Sequence, residues 1–327
     1  MLFRSKKSSA SLQKHTGSTN GLTVSRVFKN YWQLYVMLLL PVLYILIYNY
    51  GPMVGLQIAF KDYTPRLGMF GSPWAGLKYF KKFFNDYQFA RTIVNTVRTS
   101  VYSLAVNFPF PIILALCINL MRNERYKKTV QMVMYAPHFI SIVVLVGMMN
   151  QILNPYVGLY GNIYKIFTGS YAPNILADSK SFIHLYVWSG VWQNMGYSSI
   201  IYLAALAGIS PDLHEAAQID GASRFKRVLH VDIPGIIPTV VIMLILNCGR
   251  IMNIGFEKIY LMQNPINLKE SQVISTLVYE KSFGGAGGSS TKYSYSTAIG
   301  LFNSVVNFVL IVAVNKITSK LSETSLW

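Results

Sequence analysis

Apolar residues along the chain fall into six blocks, separated by polar stretches rich in glycine, proline and charge. The blocks cover about 32–53, 94–120, 131–151, 181–208, 235–254 and 296–317. Each is near or above the roughly 20 residues a helix needs to cross about 30 Å of hydrocarbon. The expected fold is all-α: a polytopic transmembrane helical bundle of six spans. Two inter-block segments are long, 54–93 and 255–295. The first contains GLKYFKKFFNDYQFARTIVNT, in which Tyr79, Phe83, Phe84 and Tyr87 fall near one helical face and Lys81 and Lys82 on another. The second contains GGAGGSS, the composition of a flexible linker.

Composition agrees with the pattern. The 327 residues are 52% hydrophobic and 13% charged, with mean hydropathy +0.37. A soluble domain carries roughly a quarter charged residues. The net charge of +17 is spread along the chain. No basic domain stands out, so a nucleic-acid partner is excluded, and membrane lipid with anionic headgroups takes its place. Lys and Arg set the orientation by the positive-inside rule. Arg4, Lys6, Lys7, Lys14, Arg26, Lys29, the turn RNERYKK, Arg224, Lys226, Arg227, Lys316 and Lys320 fall on one side, which puts both termini in the cytoplasm. The two long segments are then extracytoplasmic. The aromatic stripe of the first fits an interfacial amphipathic helix or a docking surface for an outer partner. Residues 1–30 read as a flexible basic tail, 31–320 as the membrane domain and 321–327 as a C-terminal tail. The basic start superficially resembles a secretory signal, but its apolar run is long enough to span and no small-residue cleavage site follows. Cys117 and Cys248 both lie in apolar blocks, which argues against a disulfide framework or zinc site.

The cytoplasmic loop 209–234 is punctuated with care. Ser210 is a good N-cap, Pro211 suits the first helical position, Asp212 favours the N-terminal dipole and Gly221 suits a stop. The signals predict a helix of about ten residues from Pro211 to Asp220, too short to be stable alone in water. Leu213, Ala216 and Ala217 share one face, and Glu215 beside it suits a bidentate arginine. SRFKRVLHVDIP then reads as a second short helix, with Phe225, Val228 and Leu229 packed inward and Pro234 starting the fifth span.

Glu215-Ala216-Ala217, three residues, Gly221, nine residues, then Val231-Asp232-Ile233-Pro234 resembles the EAA loop of permease subunits of bacterial ABC importers. EAAQIDGASRFKRVLHVDIP, with GLKYF, Asn95-Thr96, YAPHFIS and the LSETSLW tail, is similar to the maltose-type and polysaccharide-type carbohydrate branch. Val231 and Ile233 stand where that pattern has isoleucine and leucine. The resemblance implies a type I importer fold in the inner membrane and a transport subunit rather than an enzyme. It implies that Glu215, Ala216, Ala217, Asp220 and Gly221 form the coupling helix, seated on a separate ATPase. The implied partners are a second homologous permease, making a heterodimer, two ATPase subunits and an extracytoplasmic solute-binding protein. ATP and Mg belong to the ATPases: no P-loop spacing occurs in this chain, and no cofactor is expected on it.

Polar groups inside spans are costly and therefore functional candidates. The fourth block carries Trp188, Trp192, Gln193, Asn194, Tyr197 and Ser198, the fifth Asn247, Arg250 and Asn253, and the third Asn150 and Gln151. Amides suit sugar hydroxyls and ring faces suit apolar sugar faces. The resemblance maps the substrate path to Trp192, Gln193, Asn194, Tyr197, Asn247, Arg250 and Ile251; interhelical hydrogen bonding is the competing reading. Arg250 has three readings. It meets carbonyls or a second subunit's carboxylate, it snorkels outward, or it faces a substrate carboxylate. The last fits an acidic, uronate-containing oligosaccharide of the alginate kind. Arg98 is expected to snorkel and His138 to be structural. The scattered histidines form no catalytic or metal-ligating set. An ion-coupled secondary sugar transporter is the alternative, disfavoured by the absence of intramembrane carboxylates and inverted repeats.

Overall fold

The computed structural model describes residues 24–252, 254–284 and 292–321. Most of the expected N-terminal tail, Asn253, the glycine tract after Gly284 and the expected C-terminal tail lie outside these residues. The chain divides into two compact units, Met1–Gly55 and Leu56–Trp327.

In the first unit, α1 (Val24–Ile45) starts within the stretch expected as tail and kinks at Tyr31 (φ −121°, ψ 21°). It continues through a π turn, Leu46–Tyr50, into a 3₁₀ segment beginning at Gly51. The π turn sits just ahead of Pro52. A proline cannot donate to the carbonyl four residues back, and a widened turn absorbs the misfit. Every side chain from Tyr31 to Val54 is exposed, as on a helix that is apolar on all sides.

The second unit contains α2 (Lys78–Phe84), α3 (Gln88–Asn107), α4 (Pro109–Asn119), α5 (Glu124–Tyr135), α6 (Ile142–Ile152), α7 (Leu159–Thr168) and α8 (Ser179–Ala207). After them come α9 (Pro211–Ile219), α10 (Arg224–Cys248), α11 (Phe256–Met262), α12 (Ile274–Phe283) and α13 (Tyr293–Leu321). Among the described residues, four helical stretches are long and apolar enough to cross a membrane: Tyr31–Phe60, Gln88–Asn119, Arg224–Cys248 and Tyr293–Ile317. The expected third span is not straight. α5 with its 3₁₀ extension to Phe139 meets α6 at 96°, and counts as a fifth crossing only if the bent pair is one span. Helix α8 has 29 residues, but its polar face keeps it off the apolar list. Among the described residues, length and hydropathy thus give four or five of the six expected crossings.

Two further expectations change. The segment after Gly221 is no separate helix. Arg224–Arg227 runs through a π turn, Val228–Asp232, straight into α10, and this widened turn again precedes a proline, Pro234. Val228 is buried, whereas Phe225 is 69% exposed and Leu229 also faces outward. At its other end α10 stops at Cys248, so Arg250 and Ile251 lie beyond the helix.

α8 is the central helix and packs against α3, α4, α5, α10 and α11. An inner core joins Ala115, Tyr202, Leu206 and Ile236. A second core is larger. Phe83, Met252, Ile274, Leu277, Tyr295 and Ile299 are buried together, with Phe89 and Phe302 against them. The segment 255–295, expected as a loop with a linker, is therefore largely folded. The aromatic stripe of the first outer segment also splits: Phe83 is buried in this core while Tyr87 is 83% exposed. Lys78 and Tyr79 hydrogen-bond Asp62, and the Tyr79 hydroxyl, then Lys78, hold the Asp62 carboxyl below its usual range. Tyr295 donates to Asp86 at 2.7 Å.

Phe83→Ala should lower stability by about 3–5 kcal/mol, as for a large buried ring lost from a core. Tyr87→Ala should leave it unchanged. Thermal unfolding of the two variants in detergent checks the pair.

Candidate functional site

Two places stand out, a cavity beside α8 and the knuckle formed by α9. The cavity, about 460 Å³, is lined by α3, α8, the foot of α11 and the turn after α10. Ser100, Ser103 and Asn107 enter from α3 at helical spacing, and Gln193, Asn194 and Ser198 from α8. Asn247, Arg250 and Ile251 close it from the end of α10, and Lys258 reaches in from α11. No carboxylate lines it.

The bend between α5 and α6 explains several of these side chains. A helix broken at membrane depth exposes carbonyls that nothing in hydrocarbon can satisfy. Here Gln193, 6% exposed, donates its amide to the Ile140 carbonyl at 2.8 Å. His138 Nδ1 lies 3.0 Å from Asn194 Oδ1, and its ring stacks on Tyr197 at 4.0 Å and 5°. Gly196 lets the backbone at Met134 come so close that any Cβ there would collide with its carbonyl. α8 therefore clamps the break on one face and walls the cavity on another. Of the expected path residues, Gln193, Asn194, Asn247, Arg250 and Ile251 share the lining; Trp192 and Tyr197 stay half-exposed off it. Asn150 and Gln151 are exposed and also off it. Tyr197 and His138 instead form part of the clamp.

Arg98 does not simply snorkel: it pairs with Glu270 at 2.6 Å in an outer hollow shared with Tyr102, Lys180, His184 and Lys269. Arg250 is exposed, and among the described residues no carboxylate pairs with it or with Lys258. Sequence reasoning missed Lys258, because it sits in a segment taken for a loop. Its place after a glycine and an aromatic, close behind the fifth apolar block, was the available signal.

The knuckle is a nine-residue helix capped at both ends. The Ser210 hydroxyl accepts from Asp212 N at 3.3 Å. Gly221 adopts φ +72°, Ala222 N bonds Ala217 O at 2.9 Å and Gly221 N bonds Gln218 O at 3.0 Å. That is a Schellman stop, and the left-handed residue at its centre favours glycine. Leu213, Glu215, Ala216 and Ile219 face outward, Ile219 at 88% exposure, while His214 and Ala217 turn partly inward. His214 Nε2 lies 3.4 Å from the buried Asp232 Oδ1 at the foot of α10. Asp232 and His214 are a pair not singled out from the sequence; they lie within ion-pair distance where the knuckle meets α10.

Comparison with known proteins decides the family. Residues 107–323 match the binding-protein-dependent transport system inner membrane component family. The chain belongs to this family. Protein LplB of Bacillus subtilis is 39% identical over 294 residues, covering 90% of this chain and 91% of that protein. The polygalacturonan/rhamnogalacturonan transport system permease protein YteP of the same organism is 38% identical, with 90% of each chain covered. In structure, the chain resembles a crystal structure of a bacterial ABC transporter that imports the acidic polysaccharide alginate. The TM-score is 0.82 at 37% identity, covering 91% of this chain and 99% of that one. A second crystal structure, of a bacterial alginate ABC transporter with its alginate pentasaccharide-bound periplasmic protein, gives TM-score 0.83 at 36% identity, covering 93% and 99%. The protein is thus an inner-membrane permease component of a carbohydrate-importing ABC transporter.

Gln193→Leu should cost about 1–3 kcal/mol, because it strands the Ile140 carbonyl. Asn150→Leu should cost nothing measurable. Melting temperatures of the purified variants test the clamp.

Proposed function

We propose that this permease moves an acidic, uronate-containing oligosaccharide inward across the cytoplasmic membrane by alternating access. A separate ATPase drives it through the helix containing Glu215, Ala216, Ala217, Asp220 and Gly221. The observation that carries the substrate class is a cavity of amides and hydroxyls with two cations, Arg250 and Lys258, and no acid. A substrate carboxylate answers a desolvated cation that the chain itself leaves unpaired. YteP and the alginate importers, whose named cargoes are acidic polysaccharides, support the same reading. Arg250, at the end of α10, offers a planar fork to a carboxylate.

The support for coupling is the shape of the knuckle: rigidly capped, within ion-pair distance of α10 at His214 and Asp232, and presenting Leu213, Glu215, Ala216 and Ile219 outward. A second permease completes the path, two ATPases bind ATP and Mg, and an extracytoplasmic binding protein delivers the sugar. Both termini face the cytoplasm, and the bundle crosses six times if α8 and the bent pair each count once.

Gly221 has open space around it, and aspartate tolerates the left-handed region at a cost of about 1–2 kcal/mol. Gly221→Asp and Glu215→Lys should therefore abolish uptake of oligogalacturonate by proteoliposomes while the permease still folds and inserts. Normal uptake by both variants would remove the coupling role. Wild-type uptake of neutral oligosaccharides only would remove the acidic substrate.

A further inference from the structure

We infer that Lys258 is the residue by which the cavity reads the substrate's carboxylate, a specificity-determining cation distinct from Arg250. The inference rests on the acidic-oligosaccharide reading and deepens it.

Lys258 is 6% exposed. Its ammonium donates to one protein group, the Tyr186 carbonyl at 2.9 Å, and lies 5.0 Å from the Tyr186 ring. An ammonium has three donors, and a buried one without an anion is costly. The surroundings are built to accept something more. Gly190 leaves a gap: a Cβ built there would lie 3.5 Å from Lys258 Nζ and 3.6 Å from Asn107 Oδ1. Asn107 spends its amide hydrogens on Ser103, at 2.9 Å to both the carbonyl and the hydroxyl. Its oxygen is left toward the same space. Ser100, also in the lining, has a buried hydroxyl with no hydrogen-bond partner. A cation and an amide oxygen at one gap, with a free hydroxyl elsewhere in the same lining, match a sugar carboxylate flanked by ring hydroxyls.

The position also fits a path. α8 carries Lys180 and His184 in the outer hollow, then Tyr186 and Gly190 beside Lys258, then Gln193 and Asn194. α3 carries Arg98 and Tyr102 above Ser103 and Asn107. Arg98 is already neutralised by Glu270. Lys258, reaching in from α11 beside these two helices, is the buried cation of the cavity lining. Arg250 is exposed, and an exposed charge discriminates less than a desolvated one.

The test uses the assembled transporter in proteoliposomes with its binding protein. The probes are a galacturonate oligomer and the same oligomer with its carboxyl groups methyl-esterified, each saturating the binding protein. Wild type should import the acid form. Lys258→Met should lose about tenfold or more in acid uptake, the worth of a charged hydrogen bond, and keep its uptake of the ester. Lys258→Arg should recover much of the loss. Lys258→Met should melt close to wild type, because relief of a buried charge without an anion offsets the lost hydrogen bond to the Tyr186 carbonyl. An unchanged acid-to-ester ratio in Lys258→Met, or equal loss of both substrates with a lowered melting temperature, would overturn the assignment. If wild type itself imports only the ester, the acidic-substrate reading fails first and the role of Lys258 falls with it.

Discussion

A backbone interrupted inside hydrocarbon must have its polar groups bonded by protein. Much of this structure follows from how one interruption is met. The bend between α5 and α6 frees a carbonyl at Ile140, and the Gln193 amide reaches from α8 to bond it. Gly196 allows the contact, and His138 seals it by stacking on Tyr197. These demands make α8 polar. They also make it the helix whose remaining polar side chains, Asn194 and Ser198, face a cavity. The clamp and the cavity wall are two faces of one rod.

The same economy appears in the charges. Several described carboxylates are occupied: Asp62 by Tyr79 and Lys78, Asp86 by Tyr295, Glu270 by Arg98. Among the described residues none lines the cavity, whose two cations on the proposed reading make it a place for an anion carried by the cargo. Low dielectric strengthens that attraction while the site is closed, and water weakens it on opening. Release then requires only that the cavity become wet.

Much of this was legible beforehand, for physical reasons. Apolar runs report hydrocarbon directly, so the long helices at 88–119 and 293–317 were expected within several residues, and the one at 224–248 was expected but with its start placed at 235. Ser210, Pro211 and Gly221 act locally, so the knuckle was legible almost to the residue. What failed depends on long-range packing. The 96° bend leaves little trace in hydropathy, because the bend itself is apolar. Pro137 and His138 were visible but have no fixed meaning without Tyr197 opposite. Phe225 looked like a core residue by periodicity, but the continuous turn into α10 points it outward. The segment 255–295 looked like loop because its helices are short, yet Ile259, Ile274 and Leu277 are buried there. Lys258 was hidden with them.

Joined end to end, these parts form a lever. α8 runs from the outer hollow past the cavity, turns at Gly208 and continues into the knuckle. There Ile209 packs against Gly235 and His214 against Asp232. On the proposed coupling role, a push on the knuckle would move the cavity wall and the clamped bend as one body. Spin labels at Ile219 on the knuckle and Val143 in α6 test this directly, in an assembled transporter whose permease lacks Cys117 and Cys248. Double electron–electron resonance should give the same Ile219–Val143 distance in the nucleotide-free and ATP-trapped states. A shift of several ångströms between those states would mean that the knuckle moves without the wall, and the lever would not exist.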